Sequence, residues 1–350
     1  MIDLRSDTLT RPTPDMLDAM MRATVGDDVF GEDPTVIELQ LKAARLFGKE
    51  AAMFCPSGTM TNQIAIKVHT EPGDEIICHE MSHLYLWEGG GVAANSFVSV
   101  RLMKGDNGRF TAEQVRENIN PRDDTHYPYT RLVAIENTVN KGGGACWDFD
   151  EMKRIRNVCD EHRLSLHLDG ARLFNAMAAR GESSTQFGEI FDTISICLSK
   201  GLGAPVGSLL VGSEKHIRKA LRIRKRMGGG MRQAGYLAAA GIFALDNHVE
   251  RLADDHRRAR ALEKELLTLP YIDSVLPVET NIVIFKLVET DNVSTLLEWL
   301  VGKGIKASCY GPNTIRVVFH LEINDSDLAD VIDGFRDYPS NTASNLEIAA

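Results

Sequence analysis

The sequence lacks the features that would place this protein in a membrane, on a nucleic acid or in a disulfide scaffold. No apolar run approaches the roughly 20 residues that span a bilayer. Basic residues are the minority: 39 Lys and Arg stand against 49 Asp and Glu, and the net charge of −10 argues against nucleic acid or an anionic membrane surface as partner. Cysteine is scattered (Cys55, Cys78, Cys146, Cys159, Cys197, Cys309) with no Cys-x-x-Cys pair, so free thiols are expected rather than a zinc site or disulfides. The opening Met1-Ile-Asp-Leu-Arg-Ser-Asp7 has neither the basic nor the apolar stretch of a signal peptide, which predicts a cytoplasmic address. Internal repeats and low-complexity segments are missing as well.

What is present is an alternation. Short apolar runs at 51–55, 75–78, 96–103, 132–138, 164–169, 194–198 and 208–211 are separated by helical patterns at 60–68, 111–119 and 149–162. Buried strands separated by helices predict an α/β fold with a mostly parallel sheet flanked by helices. The spacing predicts an N-terminal arm over 1–30, a large domain over 31–247 and a smaller C-terminal α+β domain over 248–338. That smaller domain takes a charged connecting helix at 248–269, strands at 282–287 and 314–319, and helices at 293–303 and 326–335. Residues 339–350 are polar and small and are expected to fray.

Ligands of such sheets collect at the carboxyl ends of the strands. Ser57, Glu136, Asp169 and Lys200 all fall there. Lys200 closes an apolar run among Gly201, Gly203 and Pro205, an unusual place for a strongly hydrated ammonium. One strand–helix–strand unit earlier, Asp169 closes Leu164-Ser-Leu-His-Leu-Asp169. A lysine able to form a Schiff base and a carboxylate able to pair with a pyridinium nitrogen are the two groups that pyridoxal phosphate demands. Ser57, Gly58 and Thr59 at a helix start offer hydroxyls and N–H groups to a phosphate. His83 and Glu88 follow the 75–78 strand, where an imidazole is placed to stack on a cofactor ring. His126 lies in a polar loop and reads as solvated from the residues alone. Arg316 alternates with Ile315 and Val317 and so points toward the crevice. The acidic loop 26–34 does not have the spacing of a calcium loop, and no metal is expected.

Leu168-Asp-Gly-Ala-Arg172, Cys197-Leu-Ser-Lys-Gly-Leu-Gly203, Pro205-Val-Gly-Ser208 and Gly228-Gly-Gly-Met-Arg-Gln233 closely resemble the low-specificity L-threonine aldolases. These are pyridoxal-phosphate enzymes of the aspartate-aminotransferase fold, fold type I. The resemblance runs from Asp3-Leu-Arg-Ser-Asp-Thr8 to the strand of Arg316. It implies that Lys200 carries the cofactor, Asp169 pairs with its ring nitrogen, and His83 stacks on the ring. Ser57, Gly58 and Thr59 would hold the phosphate with Arg232 or Lys225 of a neighbouring subunit. Ser6, Arg172 and Arg316 would grip the substrate carboxylate, Arg172 bidentately. His126 would lie near the substrate hydroxyl, whose proton would go to His83, directly or through water, or to His126.

The implied reaction is reversible cleavage of L-threonine and L-allo-threonine to glycine and acetaldehyde, in a homotetramer built as a dimer of dimers with sites at an interface. Two departures, Val139 where many relatives have histidine and Phe30 where many have tyrosine, bear on the preferred β-substituent and stereochemistry. The same cofactor residues also serve β-elimination and hydroxymethyl transfer. A non-catalytic binding protein on this fold is the more distant reading.

Overall fold

The computed structural model describes residues 1–340. Apart from its first two residues, the expected frayed tail lies outside the described residues. The chain enters as strand β1 (Ile2–Asp3) and passes through helices Pro14–Met21 and Pro34–Leu46. It then lays down seven strands of one sheet: β2 (Ala51–Cys55), β3 (Glu75–His79), β4 (Ser99–Met103), β5 (Thr130–Glu136), β6 (Ser165–Gly170), β7 (Thr193–Cys197) and β8 (Ser208–Gly212). Their spatial order is β2-β8-β7-β6-β5-β3-β4.

All pairings are parallel except those of β8, which runs antiparallel to both β2 and β7. The cause is the link from β7. Residues 198–207 are too few for a helical crossover, so the chain turns straight back. Gly203 (φ +78) and Gly207 (φ +120) take backbone conformations that a side chain would strain.

Leu132, Val133, Ile135, Leu166, Leu168, Ile194 and Ile196 are fully buried, as expected for strands covered on both faces. One face packs Met53 and Leu210 against Ile64 and Ala65 of helix Gly58–His69 and Ile223 of helix Glu214–Arg226. The other buries Val133, Ile135 and Leu168 with Met152 and Ile155 of helix Phe149–His162. Each such side chain contributes about 1.5–3 kcal/mol by leaving water. Among the described residues no helix is long and apolar enough to cross a membrane.

A second sheet contains β9 (Ile272–Val275), β10 (Ile282–Leu287), β12 (Ser308–Gly311) and β13 (Thr314–Val318), antiparallel throughout in the order β12-β13-β10-β9, while β11 (Ile305–Lys306) pairs with β1. Helices Val293–Gly302 and Asp325–Arg336 cover one face, with Leu296, Leu300, Val331 and Phe335 packed on Val283, Phe285, Ile315 and Val317. The sequence pattern points to β10 and β13 only. β9 and β12 are half-exposed edges with no continuous apolar run.

The first residues are bound into this second sheet. β1 runs parallel to β11, the Val318 N–H donates to the Leu4 carbonyl (2.8 Å), and the Leu4 side chain is fully buried in the second core. His320 Nε2 lies 2.8 Å from the Asp3 carbonyl.

Candidate active site

Register brings the first acidic pair together. Glu136 on β5 lies opposite Asp169 on β6, which lies opposite Ser195 on β7. Asp169 is buried; its Oδ1 accepts the Ala171 N–H (3.2 Å) and its Oδ2 accepts from Asn62 Nδ2 (2.8 Å). Lys200 follows β7, half-buried, with its carbonyl held by Thr10 Oγ1 (3.0 Å) and the Gly203 N–H (2.8 Å).

Beside it, helix Gly58–His69 begins. Ser57 caps it by accepting the Met60 N–H (3.2 Å), leaving the first N–H groups of the helix without intrahelical partners. A Cβ on Gly58 would sit 3.2 Å from Cys197 Sγ and 3.5 Å from Ser208 Oγ, so the helix start rests directly on the ends of β7 and β8. The hydroxyl-bearing Ser57 and Thr59 are exposed there. An electropositive helix start, a half-buried amine and a buried carboxylate thus share one edge of the sheet. They match an elongated ligand with an anionic end, a reactive carbonyl and a basic ring nitrogen.

His83 is fixed at two atoms. Its backbone N–H donates to Glu136 Oε2 (2.8 Å), and its Nδ1 lies 2.9 Å from Glu88 Oε1. Glu88 is buried and also accepts from Asn62 Nδ2 (2.9 Å) and Gln63 Nε2 (2.6 Å). His83, Glu88 and Asp169 have polar atoms within 4.8 Å of one another, but the carboxylate oxygens already accept N–H bonds and need no cation.

Burial, and then the charge of Asp169, push the Glu136 carboxyl up to about 7, with N–H bonds from Asn140 and His83 opposing. Burial alone would lower the His83 pKa. The Glu88 bond and the charges of Asp169, Glu88 and Glu136 outweigh it and raise it.

A second cluster gathers cations. Arg172 donates from Nε to Asp7 Oδ2 and from Nη2 to Asp7 Oδ1, both at 2.7 Å. Its Nη1 and that of Arg316 meet on one acceptor, Asn140 Oδ1, at 3.2 and 3.1 Å. Arg316 also donates to the Arg5 carbonyl (3.1 Å) and lies over the Tyr310 ring at 4.7 Å. Its buried Nε has no hydrogen-bond partner among the described residues. Burial would raise the Asp7 pKa, yet the charge and bonds of Arg172, with the Lys200 charge, hold it down at about 2.

The structure therefore brings together Lys200, Asp169, His83, Ser57, Gly58, Thr59, Arg172 and Arg316. Ser6 adjoins them through Arg5, although its Oγ caps a short turn by accepting the Thr8 N–H (3.2 Å). Arg172 gives its side-on fork, Nε and Nη2, to Asp7. The expected bidentate grip on a substrate carboxylate therefore falls to its end-on face, Nη1 with the second Nη2 hydrogen, while Arg316 has an Nε without a partner among the described residues. Three predicted residues stand apart. His126 is 88% exposed on a turn, with Nδ1 2.7 Å from Asp124. Lys225 lines a cleft of about 510 Å³ with Phe30, Ile37 and Leu221. Arg232 donates to Asp27 Oδ2 (2.8 Å) beside the Phe30 ring.

Asp7, Asn62, Asn140 and Tyr310 are the site residues that sequence reasoning missed. For Asn62 a signal existed: it falls one helical turn after Gly58, on the same helix face as the proposed phosphate cup.

Known proteins match this chain over most of its length. The family model described as beta-eliminating lyase covers residues 3–290. The low specificity L-threonine aldolase of Escherichia coli K12 is 43% identical over 95% of this chain and 97% of its own length. That of Saccharomyces cerevisiae is 40% identical over 94% of this chain and 84% of its own. A solved threonine aldolase of Leishmania major shares the fold with a TM-score of 0.83 at 21% identity, over 96% of this chain and 99% of that one.

Proposed function

The chain belongs to the beta-eliminating lyase family and, within it, to the low-specificity L-threonine aldolases, and on that premise we propose that it cleaves L-threonine and L-allo-threonine reversibly to glycine and acetaldehyde, as a carbon–carbon lyase dependent on pyridoxal 5'-phosphate. The supporting observation is the joint placement of Lys200, Asp169 and the Ser57–Thr59 helix start at one sheet edge, with the Arg172–Arg316 pair beside them. Lys200 would hold the cofactor's carbonyl carbon, Asp169 its ring nitrogen, and Ser57, Gly58 and Thr59 its phosphate. When bound, the cofactor supplies the sink for the electron pair released as a bond at Cα breaks.

The protein's residues then have separable tasks. Arg316, through its unpaired Nε and its Nη1, and Arg172, through its end-on Nη1 and Nη2 face, orient the substrate carboxylate where Asn140 Oδ1 now joins them. Fixing the carboxylate fixes which bond at Cα stands across the ring plane, and for this reaction that bond is Cα–Cβ. His83 offers Nε2 to the β-hydroxyl proton because Nδ1 is committed to Glu88. The proton leaves oxygen as Cα–Cβ breaks, acetaldehyde departs, and a proton returns to Cα to complete glycine.

We place the enzyme in the cytoplasm as a homotetramer. All six cysteines are free, five of them buried, which suits a reducing compartment. Phe30, Ile37, Leu41 and Leu221 are large apolar side chains left exposed, as at an interface between copies.

The test is acetaldehyde release by the purified protein with pyridoxal phosphate, on L-threonine, L-allo-threonine and L-serine. Acetaldehyde with equimolar glycine is expected. Pyruvate and ammonia from L-serine without acetaldehyde would replace this reading with an eliminating lyase.

A further inference from the structure

We propose that Asn62 is a positioning residue that joins the ring-nitrogen partner Asp169 to the Glu88–His83 pair, so that cofactor orientation and base orientation are set by one amide. The proposal rests on the aldolase reading for the roles of Asp169 and His83. The geometry itself does not depend on which reaction follows.

Asn62 is 2% exposed, on the helix whose first residues form the phosphate cup. Its Nδ2 donates both hydrogens to carboxylates, one to Asp169 Oδ2 (2.8 Å) and one to Glu88 Oε1 (2.9 Å). Its Oδ1 faces His167 Nε2 at 3.1 Å. The opposite amide orientation would aim an oxygen at two carboxylate oxygens, so the polarity of this group is dictated by its surroundings.

That polarity propagates. His167 Nε2 carries a hydrogen when it serves Asn62 Oδ1, and Nδ1 then faces the Thr193 hydroxyl (2.9 Å), which can donate to it, with the Thr193 carbonyl at 3.1 Å. Burial holds the His167 pKa down at about 4, so the ring stays neutral. Thr193 Oγ1 in turn lies 3.0 Å from His69 Nε2, whose pKa burial also lowers. A run of polar contacts through His69, Thr193 and His167 thus ends at Asn62, whose two hydrogens go to the carboxylates.

The groups facing those carboxylates divide the labour. Asp169 has Asn62 and the Ala171 N–H as donors, with Glu136 a like charge across the register. Glu88 has Asn62, Gln63 and His83. Among the described residues only Asn62 donates a hydrogen bond to both. One helix therefore refers three functions to a common frame: phosphate at its start, ring nitrogen through Asp169, and the base through Glu88.

A donor to a carboxylate favours the ionised form, so removing it raises the carboxylate pKa. Leaving two buried carboxylates short of a donor also weakens whatever depends on their charge. For Asn62→Ala the expected result is pyridoxal-phosphate affinity reduced roughly ten- to a hundredfold. The acid limb of the kcat/KM profile should move to higher pH by on the order of one unit. For Gln63→Ala, which takes a donor from Glu88 but none from Asp169 and otherwise loses only an acceptor for Asn95, the acid limb should move while cofactor affinity stays within about twofold.

Affinity is read by titrating the apo-protein with pyridoxal phosphate in the absence of substrate, alongside the pH dependence of the visible absorbance. If Asn62→Ala does not fold, Asn62→Ser, with a single donor hydrogen, replaces it and should bind the cofactor more weakly than wild type. Wild-type affinity and an unmoved absorbance titration in the folded variant would overturn the proposal. A wild-type protein that binds the cofactor yet releases no acetaldehyde would instead overturn the aldolase reading, leaving the affinity test of Asn62 intact.

Discussion

Arg172 lies side-on against Asp7, its Nε and Nη2 each 2.7 Å from a different carboxylate oxygen, with both side chains buried. A residue near the start of the chain thus fixes the plane of a guanidinium that follows β6. The pair leaves Arg172 one free direction, toward Asn140 and Arg316. Removing one partner of a buried pair strands the other charge, at a cost of about 3–5 kcal/mol. Asp7→Ala should therefore lower the urea midpoint and raise the KM for L-threonine at least tenfold, since Arg172 can then swing away. An unchanged KM would separate Asp7 from substrate binding.

The same pair predicts acid behaviour. The Asp7 pKa is about 2 in the folded protein, against roughly 3.9 unfolded. A depressed folded pKa gives stability that is complete above the unfolded value and is lost as pH falls through the folded one. Urea midpoints should fall steeply between about pH 4 and pH 2. In Asp7→Ala that part of the slope should vanish.

Glu136 and His83 act in the opposite direction. Glu136 is raised to about 7 in the folded protein, and His83 is raised as well. Between the unfolded carboxyl value, roughly 4.3, and about 7 the native state holds the extra proton, so stability declines as pH rises. The His83 contribution, complete below its unfolded value, is likewise lost as pH rises through the folded one. Glu136→Gln should flatten this decline, read as urea midpoints from pH 5 to pH 8. A profile identical to wild type would place the Glu136 pKa nearer its ordinary value.

The two histidines can be separated by exchange. His83→Asn should reduce kcat on the order of 10²- to 10⁴-fold, the usual worth of a positioned general base. His126→Ala, at an 88% exposed ring, should change kcat by less than about tenfold. The reverse ranking in steady-state assays would assign the base to His126.

Lys200→Ala should abolish turnover and the cofactor's lysine-linked absorbance together. The Thr10 hydroxyl bonds the carbonyl of residue 200 rather than its side chain. Thermal unfolding should therefore stay close to wild type, and a large loss of stability would mean that the side chain also holds the fold.

Much of the frame was legible because burial on both faces leaves a plain record. The continuous apolar runs of β5, β6 and β7 can be read one strand at a time, and the residues that end them, Glu136, Asp169 and Lys200, stand out as polar intrusions. The reversal of β8 has a local trace too, in the shortness of segment 198–207. Asp7 was not, and Asn62 was legible only through its place one helical turn after Gly58. Each looks like an ordinary polar residue beside its neighbours, and each acquires meaning from a partner over a hundred positions away, Arg172 and Asp169 respectively. Asn140 is hidden for the same reason, since the second arginine it bridges arrives on β13. Local pattern records what a segment buries, whereas polar bonding across the chain leaves no periodic trace.

The strand formed by Ile2 and Asp3 also sets an order of assembly during synthesis. Its partner, Ile305–Lys306, is made about 300 residues later. At translation rates of roughly 5 to 20 residues per second, that is a delay on the order of 15 to 60 seconds. Throughout it the β1 segment has no strand to join, and Val318, which binds the Leu4 carbonyl, has not been made. The parallel sheet can form in the interval, because β2 through β8 are complete by Gly212. The carboxylate pocket cannot, because Arg316 is among the last parts to emerge and the segment carrying Asp7 is tied down only when it does. On the proposed roles, a growing chain would have the sheet edge of Asp169 and Lys200 available before Arg316 is made.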